Sequence, residues 1–111
     1  MTHLGQGVYF MRSADETWEV DEEVGGLLQV LFEDGDTMAG MWKPGSDVDA
    51  WPKTEELHAR ETIVVLEGSV RIEIEDGPTL DLVAGDLASL PQGATTNWHP
   101  SRDFIKVWLS S

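Results

Sequence analysis

The sequence predicts an all-β fold, a small closed or two-layered barrel, on three observations. Eleven glycines and five prolines cut the 111 residues into short apolar runs at close intervals, the punctuation expected of a sandwich or barrel. The run Val70 to Glu75 alternates strictly, with Val70, Ile72 and Ile74 on one face and Arg71, Glu73 and Glu75 on the other. Ile63 to Leu66, by contrast, is apolar throughout, the pattern of a strand covered on both sides.

Taken in chain order, strands are expected over Gly7 to Met11, Leu27 to Phe32, Thr37 to Trp42 and Thr62 to Leu66. The alternating Val70 to Glu75 follows, and Asp76-Gly77 then supplies turn residues that tolerate a left-handed backbone. Thr79 to Val83 returns with Leu80 and Leu82 on one face, so this pair reads as a hairpin. Leu87 to Leu90 and Phe104 to Leu109 complete the set. Between Pro44 and Arg60 no period persists, and a long loop of functional potential is expected there. "NWHPSRD" reads as a turn that leaves His99 at a rim.

Composition bounds the function. A chain of 111 residues suits one domain, spanning 1–111, since a single core of that size buries roughly two-thirds of the surface its unfolded chain exposes. Residues 1–12 lack the apolar stretch of a signal peptide and no run is long enough to span a bilayer, so a cytoplasmic protein without a membrane partner is expected. With no cysteine, disulfides, thiolate zinc sites and cysteine nucleophiles are excluded. Twenty-one acidic against seven basic residues give a formal charge of −14, a field that repels phosphate backbones, so nucleic acid is not an expected partner. The acids are scattered, which fits a solvated surface.

The motifs narrow the fold further. Gly45 begins a pattern that reaches Glu61, with six residues between it and a second motif glycine at Gly68, within "VVLEGSV"; "GDLASLPQGATT" supplies Gly85, Pro91 and Gly93 at a second set of spacings. In these spacings the chain resembles the cupin superfamily. The resemblance extends to Trp18 followed by "LLQVLFEDGDTMAGMWKPG", and to the ending "NWHPSRDFIKVW", similar to small cupins with a tryptophan after the second motif and a lysine in the last strand. It implies a cupin double-stranded β-helix, or jelly-roll barrel, of the RmlC-like kind, and a homodimer as the expected assembly.

The resemblance breaks at the metal ligands. Its two histidine positions fall on Trp51 and Lys53 and its fourth on Thr96, leaving only Glu61. Tryptophan and lysine offer no suitable lone pair, so no cofactor is expected and the usual three-histidine, one-glutamate site is absent. A nonstandard divalent site would have to draw on Glu55, Glu56, His58, Glu61 and His99.

What remains is a cavity for a small organic ligand or substrate. Glu61 is expected to face inward as general acid or base, with His58 as proton partner, although an exposed loop histidine is the simpler reading of His58. Lys53, standing where a ligand histidine would be, can act as base or form a Schiff base, against the simpler reading of a surface loop lysine. Trp42, Trp51 and Trp98 fall where the family lines its cavity and are candidate ligand walls, with core filling as the alternative. Thr96 is grouped with them as substrate-binding. The expected function is binding or acid/base transformation of a small molecule, of isomerase, lyase or hydrolase type; the alternatives are a non-catalytic sensory cupin and a metal-dependent dioxygenase.

Overall fold

A computed structural model describes residues 2–111, apart from the side chains of residues 3, 47 and 48. The described residues form β1 (Thr2–Gly5), β2 (Val8–Phe10), β3 (Glu19–Val20), β4 (Leu27–Asp34), β5 (Thr37–Lys43), β6 (Lys53–Glu56), β7 (Glu61–Glu67), β8 (Ser69–Ile74), β9 (Thr79–Val83), β10 (Leu87–Leu90), β11 (Thr95–Pro100) and β12 (Ile105–Ser110), with 3₁₀ turns at Ser13–Asp15 and Gly45–Ala50. A six-stranded sheet, ordered β10-β7-β12-β5-β4-β3, faces a four-stranded sheet ordered β6-β11-β8-β9. All pairings are antiparallel, giving the jelly-roll barrel. The hairpin β1-β2 pairs only within itself and leaves Leu4, Val8 and Phe10 exposed.

The alternation in β8 does what its period requires. Val70 and Ile72 are buried between the sheets while Arg71 and Glu73 point outward. Ile63 and Val65 of β7, Leu82 of β9, Leu90 of β10 and Phe104 join them in one core cluster. Full burial of each such side chain contributes about 1.5–3 kcal/mol.

The outer face of the four-stranded sheet is a polar ladder. Arg71 donates to Asp81 at 2.8 Å, and Glu73 accepts from Asn97 and pairs with His99. These contacts hold the carboxyls of Asp81 and Glu73 below the usual carboxylate range, through Arg71 for the first and through His99, then Asn97, for the second. Carboxylates shifted downward stabilise the folded state above their unfolded pKa and lose that contribution as pH falls through the folded value. Urea midpoints are therefore expected to decline as pH drops from about 4, with Arg71→Met flattening part of the decline.

Three assignments differ from the sequence reading. The segment Pro44 to Arg60 is not one long loop: it holds a 3₁₀ turn and β6, which pairs with β11 through Lys53↔Trp98 and Glu55↔Thr96. Its inward positions are charged, so no apolar period marked it. "TTNWHP" is β11, at the centre of the four-stranded sheet, and not a turn. His99 consequently stands opposite Arg71 on the polar outer face, away from the barrel interior. The short β1 and β3 also went unmarked, being too brief to show alternation.

Candidate functional site

The inner faces of the two sheets enclose a cavity of about 350 Å³ at one end of the barrel. Leu28 and Trp42 reach it from β4 and β5, Glu61 from β7, Lys106 and Trp108 from β12, and Trp98 from β11. Its rim carries Asp21 and Glu23 from the β3–β4 turn and Glu55 and His58 from the β6–β7 segment.

Four tryptophans form the walls, each fixed by a specific contact or by packing. The Trp42 indole N–H donates to the Gly25 carbonyl at 2.9 Å, and its ring meets Trp51 edge-on at 5.2 Å between centroids. Gly26 lies against it at φ +79, where an added Cβ would stand 2.5 Å from both the Trp42 ring and the Lys43 carbonyl. Gly26→Ala is therefore expected to cost more than about 1 kcal/mol and to shift the Trp42 near-ultraviolet circular dichroism signal. Trp98 donates its N–H to the Thr96 hydroxyl at 2.7 Å, and that hydroxyl donates to the Glu55 carbonyl at 2.9 Å. Thr96 is buried and acts as a bracket between Trp98 and β6; it is not on the cavity surface. The Trp51 indole nitrogen is buried and has no hydrogen-bond partner among the described residues.

The inner wall holds an ion pair. Lys106 Nζ donates to Glu61 Oε2 at 2.6 Å, with the two side chains only 10% and 20% exposed. The strand ladder sets Lys106 opposite Val65 and Glu61 opposite Ser110, so both long side chains extend along the inner face to meet. The Lys106 ammonium also lies 4.3 Å from the Trp98 ring centroid and 5.4 Å from that of Trp42. In the sequence Lys106 stands out only as the last-strand lysine of the cupin resemblance and not as a candidate site residue. Its signal was there: within "FIKVW" it shares strand parity with Trp108, which places a lysine on an inward, aromatic face.

The other expected site residues are spread out. His58 stands at the rim, 83% exposed, with Nε2 3.9 Å from Glu23 Oε1. A solvated pair of that kind contributes little to stability. Lys53 is not on the cavity surface; its ammonium donates to the Val24 carbonyl at 3.3 Å and lies 4.8 Å over the Trp51 ring. Glu55, by contrast, borders the cavity, and desolvation, followed by the neighbouring charges of Glu23 and Asp21, raises its pKa against the opposing pull of Lys53 and His58. A carboxyl raised in the folded state weakens stability as pH climbs through the unfolded and then the folded value. Glu55→Gln is therefore expected to raise the urea midpoint at pH 7, with the gain gone at pH 3.

The donor set does not suit the mononuclear metal of metal-binding cupins. At the four family positions, Glu61 is engaged by Lys106, the Thr96 hydroxyl is committed on both sides, Trp51 offers an N–H, and Lys53 is turned to a backbone carbonyl. The nonstandard set is also dispersed, because His99 is on the outside of the barrel beside Glu73. Among the described residues no group of three or more His, Cys, Asp or Glu side chains converges.

A jelly-roll barrel of two antiparallel sheets with a cavity between their inner faces is the architecture of cupins, among other families. The chain belongs to the family of EutQ-like cupin domains, whose model matches residues 31–107. Among solved structures it is similar to a protein of Salmonella typhimurium LT2 described as ethanolamine utilization protein Q, with 20% identity, a TM-score of 0.74, and coverage of 96% of this chain and 88% of that one. It is also similar to an RmlC-like cupin from Shewanella frigidimarina, at 18% identity and TM-score 0.69 over 92% of this chain and 88% of that one. The Clostridium difficile EutQ protein matches at 17% identity and TM-score 0.64, covering 81% of this chain and 64% of that one. At these identities the structural likeness speaks for the fold. No curated protein sequence matches the chain. No helix among the described residues is long and apolar enough to cross a membrane.

Proposed function

We propose that the cavity binds a small organic molecule between its tryptophan walls and that the Lys106–Glu61 pair moves a proton on it. The observation that carries this reading is a 2.6 Å ion pair on the inner wall of an aromatic cavity. A pair withdrawn from water gains little net stability over apolar side chains of similar volume, so the fold alone gives weak reason for it. Roles follow from the chemistry of each group. Glu61 keeps one oxygen, Oε1, outside the ion pair and serves as the base that takes a proton from a carbon beside a carbonyl. Lys106 has further N–H donors for the carbonyl oxygen on which the charge develops. Returning the proton to a different carbon completes an isomerisation; losing a leaving group instead completes an elimination.

The test follows solvent deuterium entering small aldehydes and ketones by NMR. Glu61→Gln is expected to slow exchange by about 10² to 10⁴-fold while tryptophan fluorescence still reports binding. Binding without any exchange in the unaltered protein would favour the second reading, a sensory cupin whose cavity holds a ligand unchanged. That alternative draws on the same tryptophan walls.

A second copy of the chain is proposed as the partner of the six-stranded sheet. The ladder aligns Leu87, Val64, Val107 and Met41 on its outer face, and Leu66, Leu87 and Leu109 there are 44%, 68% and 40% exposed. Two copies each carrying a formal charge of −14 can approach only through a surface poor in carboxylates, and these aligned positions hold none. Light scattering is expected to give twice the 12.3 kDa chain mass, and Leu87→Glu with Leu109→Glu to give the monomer.

A further inference from the structure

The charge around the cavity is lopsided. Lys106 neutralises Glu61 on the inner wall, which leaves Asp21, Glu23, Glu55 and Glu56 at the rim against His58 and the nearby Lys53. His58 pairs with Glu23 and its charge also bears on Glu55, but one imidazole cannot balance four carboxylates, so these remain in excess even when it is protonated. The walls beneath this rim are tryptophan faces, whose quadrupoles attract cations. Lys106 already demonstrates that the walls accept one, since its ammonium rests against both Trp98 and Trp42. The Trp51 indole N–H is buried and has no partner among the described residues.

We infer that the ligand of this cavity is an organic cation, a primary amine on a flat apolar body, with its ammonium at the carboxylate rim and its body between Trp42, Trp51, Trp98 and Trp108. The inference deepens the ligand-cavity reading and rests on it. A cleft with low-dielectric walls concentrates the field of its charges, so the rim enriches cations at the mouth and repels carboxylate ligands of the same shape. The crowding of Glu23 and Asp21 around Glu55, which adds to the desolvation that raises its pKa, is relieved when an ammonium arrives.

A matched series separates this inference from the reading beneath it: phenethylamine, 2-phenylethanol and phenylacetate, each titrated calorimetrically into the full chain at low and high salt. The amine is expected to bind about tenfold more tightly than the alcohol at low salt, with phenylacetate weakest. High salt is expected to narrow the gap, and so is Glu23→Gln with Glu55→Gln. Trp51→Ala is expected to weaken all three ligands. Should the alcohol or phenylacetate equal the amine, the cation inference fails and the cavity reading stands. Should none of the three bind, both fail.

Discussion

Lys106→Met and Glu61→Leu, made singly, are each expected to destabilise the protein by about 3 kcal/mol, whereas the double variant should lie within about 1 kcal/mol of the original chain. Either single change leaves one charge on a wall where its partner was 2.6 Å away and water reaches only a small part of the pair. Among the described residues the remaining ion has no second side chain to pair with. Lys106 hydrogen-bonds only to Glu61 among the described residues, and the tryptophan rings beside it attract a cation but cannot neutralise it. Removing both charges takes away the desolvation cost together with the attraction. Equilibrium urea unfolding of the four proteins forms a double-mutant cycle whose coupling term measures the pair directly.

Trp42→Ala is expected to be the costliest single change in the aromatic wall, at about 3–5 kcal/mol. Trp42 is 5% exposed, packs on Trp51 and Phe104, and ties the β3–β4 turn to β5 through its bond to the Gly25 carbonyl. Its loss leaves a void between the sheets, orphans that carbonyl, and frees the turn that carries Asp21 and Glu23 to the rim. Trp42→Phe restores part of the volume but not the N–H, so about half of the cost should return. Thermal unfolding followed at 222 nm checks both variants.

How far the fold could be read from sequence depended on which side chains faced inward. Thr79–Val83 and Leu87–Leu90 match their expected bounds, and β8 differs only at its ends, because apolar residues occupy their inward positions. The β11 strand escaped notice because its inward residues are Thr96, Trp98 and Pro100, of which only one is plainly apolar. The β6 strand escaped for the same reason, with Lys53 and Glu55 sharing the inward parity. Functional sites place polar groups on inner faces, and there the hydrophobic pattern that announces a strand is erased.

The site was legible in part. Motif spacing led to Glu61, and the structure puts it on the cavity wall with Trp42, Trp51 and Trp98. Its partner is a different matter: His58 and Lys53 are near in sequence, yet the group that meets Glu61 is Lys106, 45 residues away, brought there by the β7–β12 ladder. Such a pairing depends on strand order, which one sequence does not display.

On the function proposed above, the Lys106–Glu61 pair is kept for chemistry and contributes little net stability to the fold. The most direct measurement is deuterium exchange into a bound small carbonyl compound by the Glu61→Leu, Lys106→Met double variant, alongside its urea midpoint. Near-original stability is expected, with exchange reduced at least about a hundredfold. Exchange that persists at the original rate in the stable double variant would rule out a role for the pair in proton transfer.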